Sequence, residues 1–526
     1  MNSSDRDRKS RIRRDQLCLA GLVSIVSLSA LVFYYHHNAI LLYGDAVAHI
    51  NIARRVFDSR TPGLVQLGTV WLPLPHLLDI PWIIDDRLWR SGVGASIPSM
   101  IAYVAGALGI FRLVRGLASR ASAWIAALIY AVNPNLIYMQ ATAMTESLYL
   151  ALFVWATVHF AEFVQQTGDD ARKARRSLEN CGLLVSAAML VRYDGWFLAL
   201  VLAISALAIL LRHRALTGAL RRGFVNFVLL AGVTAGLWLA YNHAAFDNGL
   251  EFANGPYSAR AIAHRSRTAT MPSYPGENSF RTAMLYMAKV SRLTMGEGKA
   301  EYLLFTAAFV ALLAAIYFSR KFLVWLPLWI PLIFYAMVIA WGSVPIYLPE
   351  WWPFSYYNVR YGLQMLPAVA VFAALAYEFG TKFFSAKWVG AFALILIATS
   401  YVSIWQKGPL CVREAEANGR ARMDFESRLA AELEKLPKSA TLLMNLSAHP
   451  GPVERAGIRL ERVVQEGNHP EWPIALSRPA QSADYVVAFA GDEVARAVRL
   501  FPNGLEPVAT VGTPRDTSAI IYRSRR

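Results

Sequence analysis

Uncharged apolar runs of roughly 17–21 residues recur through most of this chain, and a helix of that length crosses the hydrocarbon of a bilayer. Only 17% of the residues are charged, against about 25% in a typical soluble domain. The runs are apolar on every face, whereas the strands of a membrane barrel alternate between apolar and polar residues. The sequence therefore predicts a polytopic α-helical membrane protein and excludes a soluble globular enzyme. The runs are 16–35, 91–111, 121–141, 147–161, 181–191, 195–211, 223–242, 302–319, 322–341, 361–377 and 388–405.

Basic clusters between the runs set the predicted topology, because short cytoplasmic loops carry an excess of Lys and Arg. The stretches 172–176 and 212–222 are both basic, so the two runs between them form a hairpin whose turn, 192–195, lies outside. The result is eleven spans with a cytoplasmic N-terminus and an extracytoplasmic C-terminus. No small-residue cleavage site follows the basic segment 1–15, which indicates an uncleaved first span rather than a signal peptide.

Composition divides the chain into three predicted parts: a basic cytoplasmic N-terminus at 1–15, a transmembrane domain at 16–405 and a soluble extracytoplasmic α/β domain at 406–526. The C-terminal part has the size of a small domain. The predicted outer loops are 36–90, 243–301 and 342–360. Strand patterns occur at 440–446, 458–464, 483–488 and 518–522, and amphipathic helices at 424–436 and 492–501.

The formal net charge of +16 does not indicate a nucleic-acid partner. Much of the excess lies in short loops, where it orients the spans and contacts anionic membrane lipids, and no nucleic-acid-binding motif occurs. Cys18 and Cys181 fall within apolar runs and Cys411 lies outside them. A disulfide framework or a cysteine metal site is therefore not expected.

The strongest local signal begins just past the first run, at Asp45. Its carboxylate can cap a helix that runs to about Phe57, and the apolar residues of that helix share one stripe while His49 lies elsewhere. This pattern is typical of an amphipathic helix in the membrane interface. Asp45 is then either a helix cap alone or an acid at the outer membrane surface, and His49 is a candidate substrate contact.

Other candidates lie at predicted outer turns. His76 follows a proline-containing apolar stretch and is either structural or a ligand or acid–base group. Glu146 is either a solvated turn residue or the partner of Asp45 in a carboxylate pair, which would suit proton abstraction or binding of a divalent metal. Arg192 and Asp194 share the turn of the hairpin, where they either form a local ion pair or contact substrate.

Arg360 opens a late span on the outer side, where the positive-inside rule gives it no purpose. It is either a snorkelling side chain or a ligand of a lipid phosphate, since a guanidinium offers a fork of donors that matches phosphate oxygens. Tyr361 beside it is a second candidate substrate contact.

The order of these motifs resembles the GT-C superfamily of integral membrane glycosyltransferases. Within it, the resemblance is greatest to bacterial lipid-linked sugar transferases of the protein-mannosyltransferase and aminoarabinose-transferase type, and it covers roughly residues 15–405. The motifs are Asp45 before an interfacial helix, Asn133-Pro134, Thr145-Glu146, Arg192-Tyr193-Asp194-Gly195-Trp196 and Arg360-Tyr361-Gly362-Leu363-Gln364-Met365-Leu366-Pro367.

The resemblance implies a polyprenyl-phosphate sugar as donor and a glycan, lipid or protein as acceptor. It implies that Asp45 is the catalytic base or orients the acceptor, that Glu146 is a second catalytic acid, and that Arg360 binds the donor phosphate. Some relatives bind a divalent metal ion, for which Glu146 and His76 are the candidate ligands. Many relatives carry paired acids in the first loop, whereas Ala46 follows Asp45 here, so the acceptor class does not carry over.

The sequence thus predicts a glycosyltransferase of the bacterial cytoplasmic membrane that transfers a hexose or pentose at the outer face. The alternative is a secondary transporter or a flippase for lipid-linked sugars. Transporters often contain internal repeats and broken helices at the midplane, whereas no repeat is visible here and the charged candidates lie at the outer surface. A non-catalytic scaffold or polysaccharide-binding subunit is a third possibility.

Overall fold

The computed structural model describes residues 3–213, 218–266, 273–512 and 518–525. Parts of the predicted N-terminal segment, of the second outer loop and of the C-terminal domain lie outside these ranges.

The chain is mostly helical, as expected for a polytopic membrane protein. Within the described ranges, nine helical segments are long and apolar enough to cross a bilayer. Eight of the other helices in these ranges have only four to eight residues. The nine segments are Ser10–His36, Val93–Arg115, Glu146–Gln166, Asp194–Arg212, Gly218–Phe246, Gly298–Phe318, Arg320–Trp341, Val359–Gly380 and Ala386–Leu433.

The helices are numbered in chain order. Segments of 3-10 helix occupy Leu64–Leu67, Gly298–Ala300, Arg320–Trp329, Val359–Met365 and Leu460–Arg462. The α-helices are α1 Ser3–His36, α2 Gly44–Arg55, α3 Pro73–Ile83, α4 Asp86–Ser91, α5 Val93–Arg115, α6 Arg120–Ala131, α7 Pro134–Met139, α8 Glu146–Gln166, α9 Ala171–Met189, α10 Asp194–Arg212, α11 Gly218–Phe246, α12 Glu251–Asn254, α13 Ala259–Ser266, α14 Phe280–Leu293, α15 Glu301–Phe318, α16 Ile330–Trp341, α17 Leu366–Gly380, α18 Ala386–Lys407, α19 Leu410–Leu433, α20 Gly451–Ala456, α21 Glu471–Ser477, α22 Pro479–Ser482 and α23 Glu493–Leu500.

Two of the eleven predicted spans are helical but are not among the nine segments. The third run is divided into α6 and α7 because Asn133 caps α7 through its side chain and Pro134 cannot continue α6. The fifth run forms the second half of α9, whose first half is charged and polar. The structure therefore confirms the helical membrane class, while the number eleven stays a prediction.

The described residues divide into two compact units. Unit 1 contains 1–34, 69–75 and 98–414, and unit 2 contains 35–68, 76–97 and 415–526. Unit 2 therefore combines most of the predicted first outer loop with most of the predicted C-terminal domain. The predicted boundary at residue 405 itself stays a prediction.

Unit 2 contains a five-stranded mixed sheet with the strand order β2-β1-β3-β5-β4. The first three strands are parallel, and β5 runs antiparallel to both β3 and β4. Leu443, Val464 and Val486 of the sheet pack with Val494 and Val498 of α23 in a buried core. The strands are β1 Leu442–Met444, β2 Val463–Val464, β3 Tyr485–Phe489, β4 Leu505–Gly512 and β5 Ser518–Ser524.

The polar residues of α2 are buried and paired within the protein, which its amphipathic sequence pattern did not predict. Asn51 donates to the Glu454 carboxylate, and Arg54 forms ion pairs with Asp58 and Asp86. Arg55 donates to Gln465 and to Glu466. Opposite faces of α2 are thus enclosed within unit 2, and its position at the membrane surface stays a prediction.

Candidate functional site

Three ionisable side chains form a buried cluster in unit 1: Glu146, Arg192 and Arg360. The Glu146 carboxylate is fully buried, and its Oε1 lies 3.2 Å from Nη1 of Arg192 and 3.2 Å from Nε of Arg360. The arginine side chains are 15% and 11% exposed. One carboxylate therefore holds two guanidinium groups close together and largely out of water.

Local structure explains how three distant segments supply these groups. Glu146 is the first residue of α8, where the helix dipole favours a negative charge. Arg192 lies in the tight turn between α9 and α10, and a Cβ at Gly195 would lie only 2.6 Å from the backbone carbon of Ala188. Glycine is therefore required at 195 for this turn. Arg360 lies in the 3-10 segment that precedes α17.

Tyr335 joins Arg192 to Asp194. Nη2 of Arg192 donates to the Tyr335 hydroxyl at 2.9 Å, and that hydroxyl donates to Oδ2 of Asp194 at 2.8 Å. Nε of Arg192 also lies 3.6 Å from Oδ1 of Asp194. The local ion pair considered for Arg192 and Asp194 is therefore present, but it is one part of a larger network. Tyr335 lay within an apolar run and sequence reasoning missed it.

The ring of Tyr361 contacts both arginines. Its centroid lies 5.2 Å from the guanidinium carbon of Arg192 and 5.3 Å from that of Arg360, within the range of cation–π attraction. The Tyr335 ring lies 4.8 Å away. The structure therefore brings together five predicted residues of unit 1, namely Glu146, Arg192, Asp194, Arg360 and Tyr361.

Two further residues of the cluster were missed. Glu414 lies 3.8 Å from Nη1 of Arg360 and accepts a hydrogen bond from the Val359 amide, so Arg360 is paired within the protein rather than snorkelling. Gln364 follows Tyr361 by one turn of 3-10 helix, which places both on one face. Its side chain is fully buried, and neither amide atom has a hydrogen-bond partner among the described residues.

Asp45 lies in unit 2, in the first turn of α2. The N-cap is Tyr43, with no side-chain cap, so the predicted capping role of Asp45 is wrong. Its side chain is half-buried. Arg422 donates to the carbonyl oxygens of Leu41 and Leu42 and thereby anchors the segment that leads into α2. Asp45 is thus an acid of intermediate exposure at the positive end of a firmly held helix.

His49 and His76 form a buried pair in unit 2. Nδ1 of His49 lies 2.8 Å from Nε2 of His76, and the two side chains are 3% and 0% exposed. Burial, together with the neighbouring His49 and Arg55, holds the pKa of His76 well below its ordinary value of 6.5. His76 is therefore a neutral imidazole at pH 7, and each histidine is a hydrogen-bond partner of the other.

The candidate metal ligands do not fit a metal ion. Glu146 already faces two guanidinium groups, which would repel a cation, and His76 is paired with His49. No group of three or more His, Cys, Asp or Glu side chains suited to a metal occurs within the described ranges. We therefore derive no step through a metal.

The chain is similar to one protein-family model and to several solved structures. Residues 88–241 match the family model described as dolichyl-phosphate-mannose-protein mannosyltransferase. ArnT from Cupriavidus metallidurans, solved with undecaprenyl phosphate bound, aligns with a TM-score of 0.57 at 13% identity over 95% of this chain and 98% of its own. The chain has a GT-C fold. The apo form of that ArnT gives a TM-score of 0.54 at 13% identity, over 95% and 97% of the two chains.

A further solved structure, the Archaeoglobus fulgidus oligosaccharyltransferase, aligns with a TM-score of 0.47 at 12% identity, over 96% of this chain and 74% of its own. No curated protein sequence matches the chain significantly. The matched range 88–241 contains Glu146, Arg192 and Asp194 of the cluster.

Proposed function

We propose that this protein transfers a sugar from a polyprenyl-phosphate donor to an acceptor at the outer face of the bacterial cytoplasmic membrane. The GT-C fold and the family model over residues 88–241 support this reaction class. The undecaprenyl phosphate bound to ArnT supports a polyprenyl-phosphate ligand. The acceptor is a glycan, a lipid or a protein.

The observation that carries the proposal is the buried cluster of Glu146, Arg192 and Arg360. Ionisable groups that are buried beside membrane spans are costly and indicate a functional site. Glycosyl transfer from a lipid phosphate leaves a phosphate with increased negative charge, and fixed cations lower the energy of that transition state. Glu146 and Tyr361 hold both arginines in place before the donor binds, so the cluster needs little rearrangement when charge develops.

Asp45 is the proposed base. In the reaction, the acceptor hydroxyl or amine gives its proton to the Asp45 carboxylate while its oxygen or nitrogen attacks the anomeric carbon. The bond from that carbon to the phosphate oxygen breaks, and the polyprenyl phosphate leaves with the electron pair. A single displacement of this kind inverts the anomeric configuration. Glu146, which already pairs with two arginines, orients them and does not accept the proton.

The proposal is tested with purified protein in lipid nanodiscs. Polyprenyl-phosphate hexoses and pentoses are supplied with extracted cell-envelope lipids and glycans as acceptors, and release of polyprenyl phosphate is followed. Release that depends on both donor and acceptor supports the transferase. Movement of intact donor across proteoliposome membranes, with no release, would instead support the flippase alternative.

Replacement of Asp45 by Asn tests the base. We expect turnover to fall by about 10²-fold or more, the usual scale of general-base catalysis, with donor binding retained. Asp85→Asn is the matched control, because it removes the same charge from an exposed N-cap in the same predicted loop, and Asn caps a helix as well as Asp does. Near-normal turnover of Asp45→Asn would refute the base assignment.

A further inference from the structure

The buried imidazoles of His49 and His76 have no part in the reaction described so far. The hydrogen bond between them, at 2.8 Å, requires that one ring nitrogen carries a proton and that the other offers a lone pair. Two buried histidines seldom offset the cost of their burial by packing alone, because buried polar groups are costly unless they are hydrogen-bonded.

Helix geometry directs His49 towards Asp45. The two residues lie four positions apart on α2, so they share one face of the helix. Long side chains in a helix lean towards its N-terminus, and the His49 ring therefore extends over the turn that carries Asp45. His76 contacts that ring at Nδ1, so a bond from His49 to the aspartate would be made through Nε2.

The unpaired nitrogen of His76 decides the direction of the hydrogen bond. Nδ1 of His76 is buried and has no hydrogen-bond partner among the described residues. An orphaned buried N–H is rarer in proteins than an under-used acceptor, so the proton of His76 is assigned to Nε2. His76 then donates to Nδ1 of His49, and a neutral His49 must carry its own proton on Nε2.

We propose that His76 fixes the tautomer of His49, and that Nε2–H of His49 donates to the Asp45 carboxylate and orients it towards the acceptor. His49 and His76 are thus positioning residues, and the inference rests on the proposed role of Asp45 as base. The proton balance is simple: the acceptor proton goes to the carboxylate oxygen that His49 does not hold, and both histidines keep their protons.

Two substitutions at position 76 separate this role from simple packing. His76→Gln places an amide N–H where it can still donate to Nδ1 of His49, whereas His76→Leu fills the site without a donor. We expect kcat of the Gln variant to stay within about threefold of the wild type. The Leu variant should lose about ten- to a hundredfold in kcat, the usual cost of losing a partner that orients an active group, with the donor KM unchanged.

A double variant adds a readout that a structural defect would not give. If His76 acts through Asp45, His76→Leu should cause no further loss in an Asp45→Asn background, because residues that act as one unit are not additive. The control is His449→Leu, which removes a second neutral imidazole from unit 2. His449 stacks on Phe489 at 3.6 Å, and burial lowers its pKa to about 4. The kcat of the His449→Leu variant should be unchanged.

The tautomer is measured without any donor. Nitrogen-15 spectra of histidine-labelled protein, with the His49→Gln variant for assignment, should show a neutral His49 protonated at Nε2. A His49 protonated at Nδ1 would overturn the inference, as would equal kcat losses in the Gln and Leu variants or losses that multiply with Asp45→Asn. Absence of donor turnover in the wild type would refute the proposed function instead, and the spectra would still decide the tautomer.

Discussion

Arg360 is the residue whose role the structure most sharpens, because its guanidinium lies between the carboxylates of Glu146 and Glu414. If it also binds the donor phosphate, Arg360→Ala should raise the donor KM and lower kcat. Hydrogen bonds to charged groups contribute about 1.5–3 kcal/mol, or roughly one to two decades in affinity. Arg360→Lys keeps the charge and loses the planar fork, so it should retain only part of the wild-type donor affinity.

Donor titration of the wild type and both variants is the measurement for Arg360. Arg112→Ala is the control, because Arg112 pairs with Glu162 at the predicted cytoplasmic end of α5 and is 42% exposed. Its donor affinity should be unchanged. Equal affinities for the wild type, Ala and Lys variants would show that Arg360 only neutralises Glu146 and Glu414.

Replacing the buried Gln364 by an apolar residue should stabilise the fold, whereas most substitutions of buried residues destabilise it. A buried amide without hydrogen bonds destabilises the folded state, so Gln364→Met should raise the melting temperature in detergent. Gln66 is the matched control, since it is equally enclosed but donates to Thr61 and to the Gly467 carbonyl. Gln66→Met should lower the melting temperature. A lower melting temperature for Gln364→Met would indicate that a buried water satisfies the amide.

The cluster shows which residues a single sequence can reveal. Arg192, Asp194 and Arg360 were predictable because each is a charge at the end of an apolar run. Tyr335 and Gln364 were not, because an uncharged polar residue inside a span becomes significant only when the fold sets its neighbours. The pairing of His49 with His76 could not be predicted either, since the two residues lie 27 positions apart on different helices, with loops between them.

At the scale of single elements, hydrophobic periodicity located the helices but not their interruptions. The 3-10 segments 320–329 and 359–365 lead from basic residues into apolar runs, where hydropathy cannot distinguish one helix type from another. Strand β4 was missed because Gly504 and Pro507 interrupt its pattern, and a register shift follows Pro507. An edge strand tolerates such breaks, since one side makes no ladder bonds.

The contact between α2 and α20 predicts a pH-dependent stability. Burial raises the pKa of Glu454 from 4.5 to about 8, against the opposing effects of Asn51 and Arg455 and with the support of Glu426. The folded state therefore binds a proton that the unfolded state releases, so stability should fall as the pH rises from about 4.5 to 8. Arg422, which pairs with Glu426 at 2.6 Å, lowers the pKa of Glu454 and so limits the change of stability with pH.

Glu454→Gln tests that link, because Gln keeps an acceptor for Asn51 and cannot ionise. We expect the variant to match the wild type in melting temperature at pH 5 and to exceed it at pH 8. The exposed Glu434 provides the control, and Glu434→Gln should leave the profile unchanged. Parallel profiles for the wild type and Glu454→Gln would show that Glu454 is ionised in the folded protein throughout this range.

For the whole molecule, the class of fold followed from the apolar runs, whereas the division into units did not. Residues 35–68 and 76–97 are grouped with 415–526, although more than 300 residues separate them in the chain. Contacts such as that of Arg55 with Glu466, or of Gln66 with Gly467, create this grouping. They are specific polar bonds between distant segments, and no local pattern in one sequence encodes them.

Charge parity predicts which side of the membrane each part of the chain occupies, and engineered cysteines can test it. Ala448, in the predicted extracytoplasmic domain, and Ala386, beside the basic residues Lys382 and Lys387, are both exposed. Gly195 is unsuitable, because its turn has no room for a side chain. The background is Cys18→Ser, since Cys18 is exposed while the other two cysteines are buried.

Because cytoplasmic loops carry the Lys and Arg excess, an impermeant maleimide should label Ala448→Cys in intact spheroplasts and Ala386→Cys only after lysis. Labelling of Ala386→Cys with protection of Ala448→Cys would invert the topology and move the proposed transfer to the cytoplasmic face. Labelling of both variants in intact spheroplasts would show that the one predicted span between them, 388–405, does not cross the membrane.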